Sequence, residues 1–372
     1  MKTCRSLPFA LLCLSIGCGG TLVTTGSTDG GGEGGSGDGG TGGGGTTSGG
    51  TTSGGGDDGG VHLGPAVDGG CSPEAPLSGL PAHVIDGGQL ASLDFGVVGD
   101  TRPVIYDDTP NYPTQVITTI FQDLDALSPP VAFVAATGDY MFADPLLGLE
   151  QTPQAKLFVG AAKKFTVGQV YTAMGNHECD WATSNDNCTG NDSNPNYQSF
   201  LHDILGGLGL PNATPYFAVT YSSSDCTRPW TAKMIYMAAN SWDGSQNSWL
   251  TQILAVPTTY TFLFRHEPSS DSGGAPGVAP SDSLLQTYPF TLKLTGHSHS
   301  YSYDPKNREV VNGLAGAPLN AGYSGTFGYV VCRQRSDGAV QCSLYDYESN
   351  ALSSQPSATI AVSPDGSAVQ PQ

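Results

Sequence analysis

The sequence predicts an α/β domain, because short apolar runs alternate with stretches of helical periodicity from Leu93 onward. Residues 93–99 form a candidate buried strand, and residues 112–127 carry apolar side chains at helical intervals. A second observation is that several strand candidates end in glycine followed by a polar residue. In α/β sheets, sites form just beyond the carboxyl ends of strands. The pattern therefore predicts both the fold class and the place of a functional site.

The remaining elements follow the same alternation. The sequence predicts a helix over 155–165, a hairpin over 323–347, and strands over 131–137, 170–174, 233–239, 259–264 and 290–294. Five of the strand candidates lead into Asp, Asn or His within a few residues. We therefore expect these side chains to lie near one another, at the carboxyl ends of the strands.

An export signal is predicted at the amino terminus. Residues 1–17 combine the basic Lys2 and Arg5 with an apolar run that is too short to span a bilayer. The segment ends at Cys18 and resembles the signal of bacterial lipoproteins, in which this cysteine is lipidated and becomes the new amino terminus. An ordinary cleaved signal peptide is the alternative. Both alternatives predict an exported protein, either lipid-anchored in the cell envelope or extracellular.

A disordered tether is predicted between the signal and the folded domain. Residues 18–70 contain 25 of the 52 glycines of the 372-residue chain, and most other residues there are Ser, Thr or Asp. Such a segment cannot bury enough apolar surface to offset the entropy of ordering it. We therefore assign residues 71–350 to the domain and residues 351–372 to a carboxyl-terminal tail or edge strand.

The charge balance excludes the usual kind of nucleic-acid-binding protein. The chain has 33 acidic and 14 basic residues, for a formal net charge of −19. The 12 Lys and Arg residues beyond position 70 form no run, so a polyanion is repelled at long range. A bound anion therefore needs a local source of positive charge, such as a metal ion. No nucleic-acid partner is expected, and contact with a membrane is expected only through the lipid anchor.

Six cysteines follow Cys18, and an even number in an exported chain predicts disulfide bonds. The Ser-Asp-Gly turn signal over 336–338 would place Cys332 and Cys342 directly opposite each other in a hairpin. A polar loop joins Cys179 and Cys188, which form the second favoured pair. The two favoured pairs are Cys332–Cys342 and Cys179–Cys188, and Cys71 and Cys226 are left to pair with each other. A zinc site is less favoured, because C-x-x-C spacing does not occur.

Four of the seven histidines follow strand candidates, together with two aspartates and an asparagine. These residues are Asp100, Asp139, Asn176, His177, His266, His297 and His299. Imidazole nitrogens with carboxylate and amide oxygens suit Zn, Fe or Mn rather than metals that prefer thiolates. Two such ions would provide a hydroxide nucleophile and a clamp on phosphoryl oxygens. The other histidines, His62, His83 and His202, are expected to be structural or exposed.

These residues lie in five motifs that resemble those of the calcineurin-like metallophosphoesterases. The motifs are Gly99-Asp100, Gly138-Asp139, Gly175-Asn176-His177-Glu178, His266 and Gly296-His297-Ser298-His299. The resemblance covers residues 93–342, and its third and fifth motifs are the most specific. Residues 138–144 further resemble the second motif of purple acid phosphatases. The resemblance implies a four-layer αββα sandwich, with two mixed β-sheets between helices and metal ions at the strand ends.

The resemblance also implies a role for each residue. Two divalent or trivalent metal ions, of Fe, Zn or Mn, would be bound. Their ligands would be Asp100 and His299 for the first ion, Asn176, His266 and His297 for the second, and Asp139 as the bridge. A metal-bridging hydroxide would attack phosphorus, while His177 stabilises the transition state or protonates the leaving group. Glu178 would orient His177, with a surface salt bridge or a loop-stabilising role as alternatives.

Two departures from the family pattern weaken the predicted first metal site. The family usually has a histidine two residues after the first aspartate, where this chain has Arg102. Purple acid phosphatases lack that histidine but have a ligating tyrosine three residues after the second aspartate, where this chain has Phe142. Neither side chain replaces the missing ligand. We therefore expect the first ion to bind weakly, or to be a metal with more water ligands, such as Mn or Mg.

Arg102 has two interpretations in a chain with so few cations. In the first interpretation, Arg102 contacts the phosphoryl group at the mouth of the site as a bidentate donor. Alternatively, it forms an ion pair with Asp107 or Asp108 and pins its loop. We count Arg102 with His177 and Glu178 among the candidate catalytic residues.

The sequence thus predicts a metal-dependent hydrolase of phosphate esters, a phosphatase or a phosphodiesterase, with a small phosphate ester as its substrate. The second interpretation is a module of the same fold with weakened catalysis that binds a phosphate-bearing ligand, which the incomplete first site favours. A non-enzymatic surface protein on a stalk would explain the tether but not the motifs. Substrate identity and oligomeric state are not predicted.

Overall fold

Two β-sheets lie face to face in this protein. The computed structural model describes residues 77, 79–180, 187–190, 193–348, 351–352 and 355–372. The strands are, in chain order, β1 (Val84–Leu90), β2 (Asp94–Val98), β3 (Phe133–Ala136), β4 (Gln169–Thr172), β5 (Phe217–Ser223), β6 (Thr231–Tyr236), β7 (Tyr260–Phe264), β8 (Leu292–Thr295), β9 (Tyr301–Asp304), β10 (Glu309–Asn312), β11 (Gly328–Gln334), β12 (Val340–Glu348), β13 (Ala351–Leu352), β14 (Ala358–Val362) and β15 (Ala368–Val369). The first sheet has the order β1-β5-β6-β7-β8-β10-β9. The second has the order β15-β14-β12-β11-β2-β3-β4, with β13 paired to β12.

Helices connect the strands. The α-helices of the described residues are α1 (Thr114–Asp125), α2 (Gln151–Ala162), α3 (Pro195–Ser199), α4 (Gly244–Ala255) and α5 (Val278–Leu285). Short 3-10 turns cover Thr109–Asn111, His177–Cys179, Gly206–Leu208, Ala239–Ser241 and Ser269–Asp271, and a π-helical turn covers Phe200–Leu205. Within these described segments, every helix is too short or too polar to cross a bilayer.

The helices cover the outer faces of the sheets, and the inner faces pack against each other. In β7, the ring of Phe262 lies edge-on to Phe95 of the other sheet, with 5.2 Å between the ring centroids. The next residue, Leu263, packs in a separate cluster with residues of α4 and α5. On the second sheet, Gly96 lies beside Leu124 of α1. Central strands are therefore buried on both faces, and the predicted four-layer αββα sandwich with two mixed sheets is confirmed.

Parallel strands bring the functional ends of the two sheets together. β2, β3 and β4 run parallel in one sheet, and β6, β7 and β8 run parallel in the other. Just past the strand ends, the backbone N–H of His297 donates to the Asp100 carboxylate, and Nδ1 of His266 contacts the Thr137 carbonyl oxygen. The loops that leave these strands therefore meet between the sheets.

The predicted elements form with bounds shifted by a few residues, and α2 shows the reason. The helix predicted over 155–165 runs from Gln151 to Ala162. Gln154 in its first turn is fully buried, and its side-chain oxygen accepts a hydrogen bond from the backbone N–H of Phe142. A buried polar side chain contributes nothing to an apolar periodicity, so the pattern begins one turn late.

The strand pair β1–β5 was not predicted. The two strands pair in parallel at one edge of the first sheet, with an irregularity between Asp86 and Gln89. A side chain at Gly87 would overlap the ring of Tyr221 on β5. This pairing depends on a close approach that glycine allows and that an apolar alternation does not encode.

The structure describes the carboxyl-terminal end of the chain but not the amino-terminal segment. The signal over 1–17, the tether over 18–70 and Cys71 lie outside the described residues. Residues 351–372, for which a tail or an edge strand was predicted, supply the short strands β13, β14 and β15. β15 lies at the outer edge of the second sheet, paired with β14.

Two of the predicted disulfides are confirmed. Cys332 and Cys342 lie directly opposite each other in the antiparallel pair β11–β12 and are bonded. Arg335 pairs with Ala339 through a backbone hydrogen bond of 2.7 Å, which leaves the predicted three-residue loop between them. The other confirmed bond is Cys179–Cys188. Cys226 is disulfide-bonded as well, and the partner predicted for it, Cys71, is not among the described residues.

The hairpin disulfide is expected to stabilise the domain by restricting its unfolded state. The two cysteines are 10 residues apart in the chain. Replacing both by serine should lower the free energy of unfolding by about 2–3 kcal/mol, the chain-entropy value for a loop of this length. Denaturant titration of unreduced wild type and variant measures the difference. The double serine variant of Cys179 and Cys188, which are 9 residues apart, should lose a similar amount of stability by the same argument. Unchanged stability of the hairpin variant would contradict this expectation.

Candidate metal centre

All six predicted metal ligands lie just past the carboxyl ends of strands. Asp100 follows β2, Asp139 follows β3, Asn176 follows β4, His266 follows β7, and His297 and His299 follow β8. Two sheets therefore contribute to a single cluster. The asparagine and the last two histidines are half-buried, and the other three residues are at most 1 % exposed.

Four of these residues have a backbone conformation that is rare for residues with a side chain. The φ angles of Asp100, Asp139, His297 and His299 are +61°, +61°, +69° and +49°. A left-handed residue other than glycine costs about 1–2 kcal/mol. Such strain collects at functional sites, where the surrounding structure imposes it. Here the chain turns sharply at the end of a strand, directly at the residue that faces the cluster.

The glycine of the second motif is required by the closeness of the strand ends. Gly138 has a φ of +114°, and a Cβ atom there would lie 2.6 Å from Nδ1 of His266 and 2.8 Å from Cα of Gly175. A side chain at Gly175 would in turn collide with the backbone nitrogen of Asp139. Only glycine lets these loops approach so closely.

Four hydrogen-bond acceptors converge at the predicted second metal site. Nε2 of His266 lies 3.1 Å from Oδ1 of Asn176 and 3.1 Å from Oδ1 of Asp139. Nδ1 of His297 lies 3.1 Å from the same Asn176 oxygen and 3.2 Å from Nε2 of His266. The group thus joins one amide oxygen, one carboxylate oxygen and two ring nitrogens, which suits a borderline metal ion.

Outer contacts fix the tautomers of these two histidines. Nδ1 of His266 lies 2.9 Å from the carbonyl oxygen of Thr137, and Nε2 of His297 lies 3.0 Å from a carboxylate oxygen of Asp271. Because carbonyls and carboxylates only accept, each outer nitrogen carries the proton. The inner nitrogens are then lone pairs that face other lone pairs. Such an arrangement requires a cation between the acceptors, and outer partners of this kind are typical of metal-binding histidines.

The pKa values of His266 and Asp139 are shifted in the directions that favour positive charge on the ring and negative charge on the carboxylate. Burial alone would lower the pKa of His266, but the carboxylates of Asp139 and Asp100 raise it well above its usual range. Burial would likewise raise the pKa of Asp139, whereas the charges of His266, His177 and Arg102 hold it well below its usual value. Both shifts show that positive charge is favoured at this cluster.

The predicted first site has fewer ligands. Both carboxylate oxygens of Asp100 accept the backbone N–H of His297, at 3.0 and 2.9 Å. Nδ1 of His299 lies 2.6 Å from the Pro318 carbonyl oxygen, which leaves Nε2 as a lone pair 3.4 Å from Oδ1 of Asp100. Ligand atoms of Asp100, Asp139 and His266 all lie within 4.8 Å of one another. These three residues therefore form a possible metal site.

Arg102 and Phe142, which replace ligands of the family pattern, contact each other. The guanidinium of Arg102 lies over the Phe142 ring, 4.3 Å from its centroid, and its Nε lies 3.7 Å from Oδ2 of Asp139. Nη1 donates to the Pro103 carbonyl oxygen at 3.1 Å. The Nε atom is buried and has no hydrogen-bond partner among the described residues. The side chain thus brings a positive charge, and a donor that is still free, to the edge of the cluster.

The alternative interpretation of Arg102 is wrong. Oδ1 of Asp107 accepts the backbone N–H of Asp144 at 2.9 Å, and the Asp108 carboxylate accepts from the Asn111 side chain at 3.0 Å. Neither aspartate forms an ion pair with Arg102 in the part of the chain that the structure describes. These acidic groups serve local turns, so the guanidinium is directed toward the cluster.

His177 lies beside the cluster and is held by a residue that the sequence did not indicate. Nδ1 of His177 contacts both carboxylate oxygens of Asp180, at 2.9 and 2.8 Å. Nε2 lies 3.6 Å from Oδ2 of Asp139, and the ring stands edge-on to Phe142 with 4.5 Å between centroids. The sequence gives no sign of this role of Asp180, because its partner lies three residues before it, in a 3-10 turn that no periodicity reveals. Asp271, which holds His297, had no signal in the sequence.

Glu178 was predicted to orient His177, and the structure gives it another partner set. Its fully buried carboxylate accepts the backbone N–H groups of Gly175 at 2.7 Å, Tyr140 at 2.8 Å and Asp139 at 3.1 Å. Glu178 thus takes the loop-stabilising role, and it fixes the loop that carries the central aspartate. Burial, followed by the charge of Asp139, raises the pKa of Glu178 to about 7.

Arg265, next to His266, points away from the cluster. It is fully buried, and its Nε donates to the Glu267 carbonyl oxygen at 2.8 Å. Its Nη1 donates to the Ser281 hydroxyl at 2.7 Å and lies 3.1 Å from Oδ1 of Asp282. The side chain therefore ties α5 to the end of β7 and belongs to the support of the site.

Glu178→Gln tests the loop-stabilising role. The amide group would turn an N–H donor toward one or more of the backbone N–H groups that now have an acceptor. Leaving a buried donor unsatisfied costs about 1–3 kcal/mol, and we expect the free energy of unfolding of the metal-free protein to fall by that amount. Denaturant titration provides the measurement. Glu150→Gln is the matched control, because Glu150 accepts a hydrogen bond from the Thr109 side chain away from the cluster. Equal stability of the two variants would reject this role.

The chain is similar to known proteins both in sequence and in fold. Residues 93–301 match the sequence profile of the family described as calcineurin-like phosphoesterase, which covers more than half of the 372-residue chain. Curated proteins give no sequence match. Solved structures give fold matches at low sequence identity.

Three of the solved structures show the extent of the fold match. The purple acid phosphatase PPD1 from yellow lupin (Lupinus luteus) seeds has 18% identity and a TM-score of 0.52, covering 75% of this chain and 55% of its own. This chain therefore spans about half the length of the lupin enzyme. GAP50, described as the anchor in the inner membrane complex of Plasmodium, has 14% identity, a TM-score of 0.50, and coverages of 74% and 89%. PhoD has 12% identity, a TM-score of 0.50, and coverages of 79% and 74%.

The family match includes every strand end that contributes a side chain to the cluster. Its matched residues run from the start of β2 to the loop after β8, and the two sheets have the fold of these solved proteins. The strained turns, the motif glycines and the converging acceptors all fall inside the matched segment. The chain belongs to the calcineurin-like phosphoesterase family.

Proposed function

We propose that the protein is a metal-dependent hydrolase of phosphate esters that acts outside the cytoplasm. The observation that supports this most directly is the convergence of acceptor atoms around Nε2 of His266, which lies 3.1 Å from Asn176 and 3.1 Å from Asp139, with His297 against the same Asn176 oxygen. A histidine with its own aspartate, His177, lies beside that cluster without joining it. A purely structural cluster has no need of a second, independently held histidine at that point.

The nitrogen and oxygen atoms of the cluster form a donor set that suits metal ions. The ligands we propose are Asn176, His266 and His297 on one side of Asp139, and Asp100 and His299 on the other. Ions of Fe, Zn or Mn suit these nitrogen and oxygen donors. When bound, they supply Lewis-acid charge and a nucleophile at neutral pH.

His177 can hold a proton for the leaving group. Its Nδ1–H donates to Asp180, so its Nε2 is the atom that faces the site. Burial alone would lower the pKa of His177, but the charge of Asp139 and the hydrogen bond to Asp180 raise it. The ring therefore favours the protonated form, and Nε2–H can be donated to the oxygen that leaves phosphorus. Asp180 keeps the ring oriented during this transfer.

Arg102 can orient the phosphoryl group. Its Nε has no hydrogen-bond partner among the described residues, and its guanidinium is held in place by the Phe142 ring. A fixed guanidinium matches phosphoryl oxygens as a two-donor fork. In a chain of net charge −19, such a local cation also draws the substrate toward the site.

Export is supported by the oxidised cysteines. The bonded pairs Cys179–Cys188 and Cys332–Cys342 persist in compartments outside the cytosol. We also propose that Cys18 is lipidated and that the protein contacts the membrane only through that anchor. Cys18 lies outside the described residues.

A binding module is the second candidate function. The observation that favours it is the replacement of two family ligands by Arg102 and Phe142, which leaves the first site short of donors. Such a module would hold a phosphate-bearing ligand on one metal ion and the guanidinium. The two functions differ in turnover, so hydrolysis of one phosphomonoester and one phosphodiester by metal-loaded protein separates them.

The metal assignment predicts the behaviour of His297→Ala. We expect the metal retained after dialysis to fall by more than about tenfold at the affected site, since even loss of an outer partner weakens metal binding about 10–100-fold. Elemental analysis of purified protein measures the content. His202→Ala, an exposed histidine outside the cluster, is the control. Unchanged metal content in His297→Ala would remove this residue from the ligand set.

The role of Arg102 predicts a kinetic effect without metal loss. Arg102→Ala should lower kcat/KM by a factor that corresponds to roughly 2–4 kcal/mol of lost transition-state stabilisation. This is the value for losing one preorganised donor. Metal content should stay the same, because a guanidinium is not a ligand. Arg228→Ala, an exposed arginine whose Nη1 donates to the Ser336 carbonyl oxygen, is the control. Hydrolysis at the wild-type rate would reject the phosphate contact, and absent hydrolysis by fully loaded wild type would favour the binding module.

A further inference from the structure

We propose that the site selects phosphate esters whose organic group is apolar, and that two loops beside it bind that group. The loops are residues 103–108, after β2, and residues 144–149, after β3. This inference rests on the proposed function and adds a substrate class to it. The phosphate would lie at the metal centre, and the organic group would lie on the loops.

Exposed apolar side chains are concentrated on these two loops. Six of the seven large hydrophobic residues that are exposed among the described residues belong to them. Together they form the apolar rim: Val104, Ile105, Tyr106, Leu146, Leu147 and Leu149, with exposed fractions of 67%, 60%, 38%, 77%, 62% and 68%. Scattered exposed hydrophobic residues need no explanation, but a group of this kind beside a site marks a binding surface.

Hydrogen bonds hold the two loops side by side. The backbone N–H of Asp107 donates to the Phe142 carbonyl oxygen at 2.9 Å, and the N–H of Asp144 donates to Oδ1 of Asp107 at 2.9 Å. Oδ1 of Asp144 then accepts the N–H of Leu146 at 2.8 Å. The acidic groups of the loops are thus used to fix the backbone, and the apolar side chains are left at the tips.

The apolar rim continues into the candidate active site. The ring of Tyr106 lies against the Phe142 ring, with 3.8 Å between centroids. The Phe142 ring also contacts the site itself, with the Arg102 guanidinium over its face and the His177 ring at its edge. The rings of Phe142 and Tyr106 therefore form an apolar path from Arg102 to the first of the two loops, and we place the organic group along it.

Charge favours a neutral organic group over a charged macromolecule as the occupant. The chain has a net charge of −19, so an anionic polymer or bilayer is repelled from its surface. Apolar contact does not depend on that charge, and it adds affinity that the phosphate contacts alone do not supply. The occupant we infer is an alkyl or aryl group attached to the bound phosphate.

Non-hydrolysable alkyl phosphonates provide the test. Calorimetric titration of metal-loaded protein with methyl- to octylphosphonate should show affinity rising about two- to fourfold per methylene, the range expected for a CH₂ group that is partly to fully buried. The double variant Leu146→Ser/Leu147→Ser should flatten this dependence. Val167→Ser is the matched control, because Val167 is 49% exposed and lies outside both loops. It should keep the wild-type dependence on chain length.

The outcomes separate this inference from the proposed function. Hydrolysis of a methyl ester combined with a flat dependence on chain length would overturn the apolar rim and leave the hydrolase intact. No hydrolysis and no phosphonate binding would overturn the proposed function. If the double serine variant instead loses binding to vesicles of uncharged lipid, or loses self-association in light scattering, while keeping the chain-length dependence, the occupant is a bilayer or a second copy, and the inference fails.

Discussion

The hydrogen bonds that join the two sheets at their strand ends determine the rest of the site. The Asp100 carboxylate accepts the backbone N–H of His297, and the Thr137 carbonyl oxygen accepts Nδ1–H of His266. Each bond links a strand of one sheet to a strand of the other. The packing of the two sheets therefore also brings together the residues of the candidate metal centre, which lie more than a hundred residues apart in the chain.

Because the strand ends meet between the two sheets, hydrogen-bond acceptors outnumber donors in a buried cluster. Asp139 is at most 1% exposed, and it faces the ring of His266, which in turn lies against the Asn176 side-chain oxygen. A cation that neutralises the cluster stabilises the folded chain by mass action, because the unfolded chain cannot present the same set of ligands. The strained turns at the strand ends and the buried Glu178 carboxylate keep the acceptors in position even when their mutual repulsion is not relieved.

The sequence predicted the parts of this centre that depend on strands, and it missed those that depend on neighbours in space. An apolar run that ends in glycine and Asp, Asn or His is visible in the chain, so the cluster around Asp139 could be predicted residue by residue. The partners that fix the rings could not, because Asp180 and Asp271 are ordinary loop carboxylates until the fold brings them to His177 and His297. Glu178 shows the same limit, since its three backbone donors come from two separate loops.

The two departures from the family pattern are one feature in the folded chain. In sequence, Arg102 and Phe142 each remove a ligand from the first metal site. In space, the aromatic ring supports the guanidinium at 4.3 Å, a cation–π contact, and the guanidinium nitrogen lies 3.7 Å from the Asp139 carboxylate. A permanent positive charge thus takes over part of the neutralisation that a fully liganded ion would provide. In the proposed hydrolase, this exchange would lower the need for the first ion and would add a donor for an anionic substrate, at the point where the proposed apolar rim begins.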